Sequence, residues 1–170
     1  MAETYYVDSI ESLQAKIKLA APGDVVTLKN GVYTTTAAIN VRNRGTAEKP
    51  ITITSETIGG VEIAGSHGFA VTAPAEYVVI SGFTFTHASG KASIGAGSSH
   101  VRFTRNTFQC VGDGAYLNVA GYDAQVDHCA FNEKKTVGSM VAIAATNGQV
   151  AQRFWIHHNH FRDYSSTGAT

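Results

Sequence analysis

The chain has 170 residues, and its 13 basic and 13 acidic side chains cancel. That balance excludes a global field for nucleic acid or an anionic membrane, and no run approaches the ~18–20 apolar residues of a membrane span. Only 15% of the residues are charged, which suits a surface of β-face and turn, and the length allows one domain with a substantial core.

Met1-Ala2-Glu3-Thr4 carries no signal peptide and reads as a start placed where a leader was removed. The first predicted element is a helix over 9–20, within a capping segment 8–22. Asp8 and Glu11 make its capping pair, Ile10, Leu13 and Ile17 share one face, and Pro22-Gly23 stops it. From residue 24 to 163 the chain reads as short strands punctuated by turns. The expected strands are Val25–Leu28, Ile39–Val41, Ile51–Thr54, Val61–Ala64, Ala70–Thr72 and Val78–Ser81. Val101–Thr104, Tyr116–Val119, Gln125–His128, Met140–Ala144 and Phe154–His157 follow.

A repeat organises the second half. Phe85, Phe108, Phe131 and Phe161 recur at intervals of 23, 23 and 30 residues, each with an apolar residue five positions earlier. Such a period, built from short strands and small turns, marks a stacked solenoid. The expected fold is all-β: a right-handed parallel β-helix forming a single domain over 1–170, with the helix as a lid over its first coil. Past Phe161 the chain runs into a Ser/Thr/Gly-rich tail with no capping element. This end reads as open and truncated, calling for further coils or a second chain as cover.

Stacking in register places equivalent positions about 4.8 Å apart and so predicts columns. Ile80, Phe103, Val126 and Ile156 form an inward column; Ser81, Thr104, Asp127 and His157 run beside it with opposite orientation. Gly82, Arg105, His128 and His158 come next, and Phe83, Asn106, Cys129 and Asn159 occupy the turn. Asn106 and Asn159 suit a left-handed corner with hydrogen bonds to neighbouring turns. Asp127 with His157 reads as a structural hydrogen bond before a general-base pair. The His157–His160 run offers no metal site, because neighbours on a strand point to opposite faces. Gly112-Asp113-Gly114 reads as a turn, and the two cysteines, Cys110 and Cys129, as buried free thiols. Lys134 and Lys135 are the candidate contacts to an acidic polymer along the coil flank, extended by Arg162 and by Arg105 and Arg153.

Several segments together resemble the family 6 polysaccharide lyases, which include alginate lyases and chondroitinase B. They are Ser12-Leu13-Gln14 with Ala21-Pro22-Gly23-Asp24-Val25, Gly45-Thr46 with Lys49-Pro50-Ile51, Val61-Glu62-Ile63-Ala64-Gly65, Val126-Asp127-His128-Cys129-Ala130-Phe131 with Lys134 and Gly138, and Ile156-His157-His158-Asn159-His160-Phe161. The resemblance implies a secreted or periplasmic enzyme that cleaves a uronate polysaccharide, most of all alginate, by β-elimination. It also implies Ca²⁺ on the uronate carboxylate, a Lys base and an assisting Arg. The family's Glu-x-Glu calcium segment and its Arg-His-Gly motif occur nowhere in the chain. The resemblance therefore assigns no catalytic residue and no metal ligand here, and puts the Lys base, the Arg and the Ca²⁺ site beyond residue 170. Lys134, Lys135 and Arg162 remain as expected substrate contacts. A non-catalytic polysaccharide-binding or structural β-helix and a mannuronan epimerase-like protein are the alternatives; neither nucleic acid nor membrane is an expected partner.

Overall fold

The computed structural model describes residues 1–143 and 153–165. Three parallel sheets of seven, five and six strands wrap around one core. The first runs from Thr4–Val7 through Val25–Leu28, Ile51–Ser55, Glu76–Ser81, Ser99–Thr104 and Gln125–Asp127 to Trp155–His157. The six-stranded sheet holds Gly31–Thr35, Val61–Gly65, Phe83–Phe85, Thr107–Phe108, Ala130–Asn132 and His160–Arg162. The five-stranded sheet holds Ile39–Val41, Phe69–Val71, Ser93–Ile94, Leu117–Val119 and Val141–Ile143. Each coil thus contributes one strand to each sheet. This is the expected parallel β-solenoid, nearly all strand with one short helix.

The strands form where apolar and polar residues alternate, so that one face enters the core. Ile51–Ser55 buries alternate residues, and Val26, Ile53, Ile80, Phe103 and Val126 are fully enclosed along one column. The expected inward column holds its register: Ile80 pairs with Phe103, Phe103 with Val126, and Val126 with Ile156. The Phe repeat becomes a physical stack. Phe85, Phe108, Phe131 and Phe161 lie in register, with ring centroids 4.8, 4.9 and 4.8 Å apart. Those distances match the spacing of neighbouring strands, and each stacked pair adds about 0.5–1.5 kcal/mol beyond its buried area.

The helix spans Ile10–Leu19 and buries Leu13 and Ile17 against the first coils. Its cap differs from the expected Asp8–Glu11 pair. Ser9 is the N-cap: its hydroxyl accepts from the Ser12 amide, and the Ser12 hydroxyl accepts from the Ser9 amide. The short Ser side chain closes this reciprocal pair three residues apart, where Asp8 and Glu11 fall one position early.

Seven strands lack a sequence signal. Thr4–Val7 and Gly31–Thr35 flank the helix and the first turn, while Phe83–Phe85, Ser93–Ile94, Thr107–Phe108, Ala130–Asn132 and His160–Arg162 are only two or three residues long. Elements that short carry too little alternation to read. Ala144, the end of the expected Met140–Ala144 strand, and the Ser166–Thr170 tail lie outside the described residues.

Candidate functional site

Two columns of left-handed backbone frame the outer face of the first sheet. On its entry side stand Tyr77, His100, Asp123 and Arg153, with φ of 49°, 52°, 51° and 58°. On its exit side stand Gly82, Arg105, His128 and His158, with φ of 83°, 55°, 51° and 52°. The corner residue is therefore one position earlier than the expected Asn106 and Asn159. Glycine adopts this conformation without penalty, and the three side chains that share the exit column are thrust outward by it.

The asparagines act instead as rungs between coils. Asn106 Oδ1 accepts from the Phe83 amide at 2.9 Å and its Nδ2 donates to the Ile80 carbonyl at 3.0 Å. Asn159 repeats this one step on, accepting from the Cys129 amide at 2.9 Å and donating to the Val126 carbonyl at 2.8 Å. Cys129 fills the rung between them, its thiol 3.6 Å from the Phe103 carbonyl.

Along the entry column the side chains touch in sequence. Tyr77 stacks on His100 with centroids 4.3 Å apart, His100 Nε2 lies 3.3 Å from Asp123, and Arg153 donates to Asp123 at 2.6 Å while covering Tyr122. Across the strands, Arg102 Nε and Nη2 each donate to Asp127 at 2.7 Å. Asp127 also accepts from His128 at 2.6 Å and from Thr104 at 3.1 Å. Its side chain is wholly buried although it lies in the column expected to face outward, because Arg102 folds over it. Burial alone would raise its carboxyl; the bonds from Arg102 and His128, the Arg102 charge and the Thr104 hydroxyl outweigh that and hold it well below the usual carboxylate range.

Asp127 and His157 are register partners without a hydrogen bond between them. The Gln125 amide, a donor, reaches His157 Nε2 at 3.0 Å. His157 Nδ1 lies 2.7 Å from His158 Nδ1. Trp155 leans on His157 at 4.6 Å and is 65% exposed.

The expected polymer contacts separate. Lys134 is not on the flank: it is fully buried, donating to the Gly112 carbonyl at 3.0 Å and to Thr136 Oγ1 at 2.7 Å, above the Tyr116 ring. The reason is a left-handed residue, Glu133, at φ 56°, which turns the next side chain inward. Burial lowers the Lys134 ammonium from its ordinary value. Lys135 stays exposed, 3.3 Å from Glu133. Arg162 is exposed on the six-stranded sheet and donates to Asn132 at 2.9 Å. Gly112 and Gly114 hold positive φ around the exposed Asp113, which accepts from the Val137 amide, so this segment is a turn. Sequence reasoning missed Tyr77, His100 and Arg102, whose only signal was their place in the register.

Among the described residues no three His, Cys, Asp or Glu side chains are disposed to hold a metal ion. The oxygens of Asp127 are already occupied by Arg102, His128 and Thr104. Among the described residues this donor set does not fit Ca²⁺. No described helix is long and apolar enough to cross a membrane.

Three stacked parallel sheets with a polar outer face define a parallel β-helix. The family model for chondroitinase B matches residues 7–170, and the chain belongs to that family. This agrees with the resemblance to family 6 polysaccharide lyases. No curated protein matches in sequence. Among solved structures, the family 6 alginate lyase AlyGC is 23% identical with a TM-score of 0.72, over 86% of this chain and 22% of its own. A mannuronic acid specific family 6 lyase from human gut microbiota is 22% identical with a TM-score of 0.75, over 94% of this chain and 40% of its own. An alginate lyase from Paenibacillus sp. str. FPU-7 is 16% identical with a TM-score of 0.59, over 96% of this chain and 65% of its own. The chain spans well under half the length of the first two, and at these identities the likeness concerns the fold.

Proposed function

We propose that the protein acts in the β-elimination of a uronate polysaccharide, alginate in the first place, outside the cell or in the periplasm. The 170 residues supply the scaffold and part of the polymer-binding surface, and the reacting groups lie elsewhere. The match of the family model to residues 7–170 carries this reading. Its structural relatives, among them an alginate lyase and a mannuronic acid specific lyase, favour alginate. Elimination requires a neutralised uronate carboxylate, a base able to lose its proton near working pH, and an acid or cation at the leaving oxygen. Lys134 is a lysine of lowered proton affinity, but its enclosed ammonium reaches no polymer. Of the expected polymer contacts, Lys135, Arg162, Arg105 and Arg153 remain on the surface.

The test is to mix the chain with alginate, follow the absorbance of the unsaturated uronate, and measure binding and the mannuronate-to-guluronate ratio on the same samples. Binding without new absorbance and without a changed ratio is expected. Sustained elimination overturns the scaffold assignment, and a changed ratio without cleavage favours an epimerase. A pure binding module has one specific observation in its favour: Asp123 and Asp127, the acids of the outer face, are both neutralised by arginines and unavailable for proton transfer.

A further inference from the structure

We propose that the outer face of the first sheet is a sugar-binding groove that holds a stretch of polysaccharide along the solenoid axis. Tyr77 and Trp155 serve as ring platforms, and Arg102 is the donor between them. The identity of the sugar as a uronate rests on the function proposed above; the groove itself does not.

A concavity of about 220 Å³ lies on this face, lined by Pro50, Tyr77, Val79, His100, Arg102 and Gln125 among others. Tyr77 stands at one end of it, with one face of its ring stacked on His100. A sugar ring presents axial C–H groups to such a platform while its hydroxyls reach polar neighbours, the division of labour that favours Tyr and Trp in wet sites. Arg102 spends Nε and Nη2 on Asp127, and its Nη1 has no hydrogen-bond partner among the described residues. The buried carboxylate thus fixes the guanidinium in place while one donor group remains for a ligand, and the side chain is 41% exposed.

The register extends the groove. Val79 pairs with Arg102, Arg102 with Gln125, and Gln125 with Trp155. Trp155 therefore sits three strand spacings, about 14 Å, beyond the Tyr77 coil. That span suits several linked sugar units laid across the strands.

Charge points to the same class of ligand. Asp123 is matched by Arg153 and His100, and Asp127 by Arg102 and His128. A carboxylate entering the groove meets no uncompensated negative charge and one free donor group. The face has no excess of cations of the kind a nucleic-acid backbone demands.

Titration calorimetry with a mannuronate tetrasaccharide and with a neutral β-1,4-glucan tetrasaccharide tests the groove. Tyr77→Ala and Trp155→Ala should each weaken uronate binding about fivefold or more, and the loss should persist at high salt, where ionic contacts fade. Tyr77→Phe, which keeps the ring, should bind within about twofold of the unaltered chain. Thermal melts of each variant separate a lost platform from a lost fold. Unaltered affinity in both folded alanine variants overturns the groove and leaves the lyase reading standing. Binding of the glucan alone, with the same dependence on Tyr77 and Trp155, sustains the groove and overturns the uronate reading. Failure of the unaltered chain to bind either sugar overturns the groove.

Discussion

Arg102 and Asp127 sit on neighbouring coils and are joined by two parallel hydrogen bonds of 2.7 Å, with the carboxylate wholly buried and the guanidinium half in solvent. The pair locks one coil to the next on the face where a ligand would lie. Removing one partner strands the other: Arg102→Ala should cost about 3 kcal/mol in urea denaturation, because the Asp127 charge is left enclosed. The pH dependence follows from the depressed Asp127 carboxyl. Its stabilisation is fully present above the ordinary carboxylate value of about 3.9 and is lost as pH falls from there toward the folded value. Asp127→Asn should flatten that acid limb.

Lys134 has the opposite sign. Burial lowers its ammonium, so the unfolded chain holds the proton more tightly than the folded one. The Lys134 contribution to stability should therefore rise as pH climbs through the folded value toward the ordinary lysine value of about 10.4, against the opposite contribution of the raised Cys110 and Cys129 thiols, and it is read as the difference between the unaltered chain and Lys134→Met. Lys134→Met should remove this alkaline rise, leave stability at neutral pH within about 1 kcal/mol, and leave polymer affinity unchanged. Lys135→Ala with Arg162→Ala should instead weaken alginate binding at low salt and lose that effect at high salt. Denaturation curves from neutral to alkaline pH and binding titrations at two salt concentrations check both.

Both thiols are inert for the same physical reason. Burial pushes Cys110 and Cys129 up to about 12, and the thiolate is the reactive form. A colorimetric thiol reagent at pH 8 should label neither cysteine in the folded chain and both after denaturation. Rapid labelling of the folded chain would contradict the packing of Cys110 beneath Phe85 and His87.

The aromatic stack carries the coil-to-coil cohesion. Phe108 lies between Phe85 and Phe131 and is fully buried. Phe108→Ala should cost about 3–5 kcal/mol, more than Phe161→Ala, whose ring is half exposed. Equal losses in thermal unfolding would contradict the graded stack.

The scaffold was legible in the sequence because its signal repeats. Four Phe residues at near-constant spacing led to the columns, and Ile80, Phe103, Val126 and Ile156 fell into register as the spacing predicts. The site was less legible, and Lys134 shows why. Its neighbour Lys135 has the same chemistry, yet one left-handed residue at Glu133 sends the first side chain inward and leaves the second in water. Asp127 was expected to face outward and does so by its backbone; Arg102, 25 residues away in sequence, is what buries it. Tyr77 and His100 meet only because each takes positive φ at the same place in successive coils. Backbone handedness at single non-glycine residues leaves little trace in composition.

The most direct measurement is amide chemical-shift mapping of the isotope-labelled chain titrated with a mannuronate tetrasaccharide. The account predicts saturable shifts concentrated on Tyr77, His100, Arg102, Gln125 and Trp155, with no unsaturated product in the tube. Shifts confined to other faces of the solenoid, or accumulation of the unsaturated product, would contradict it.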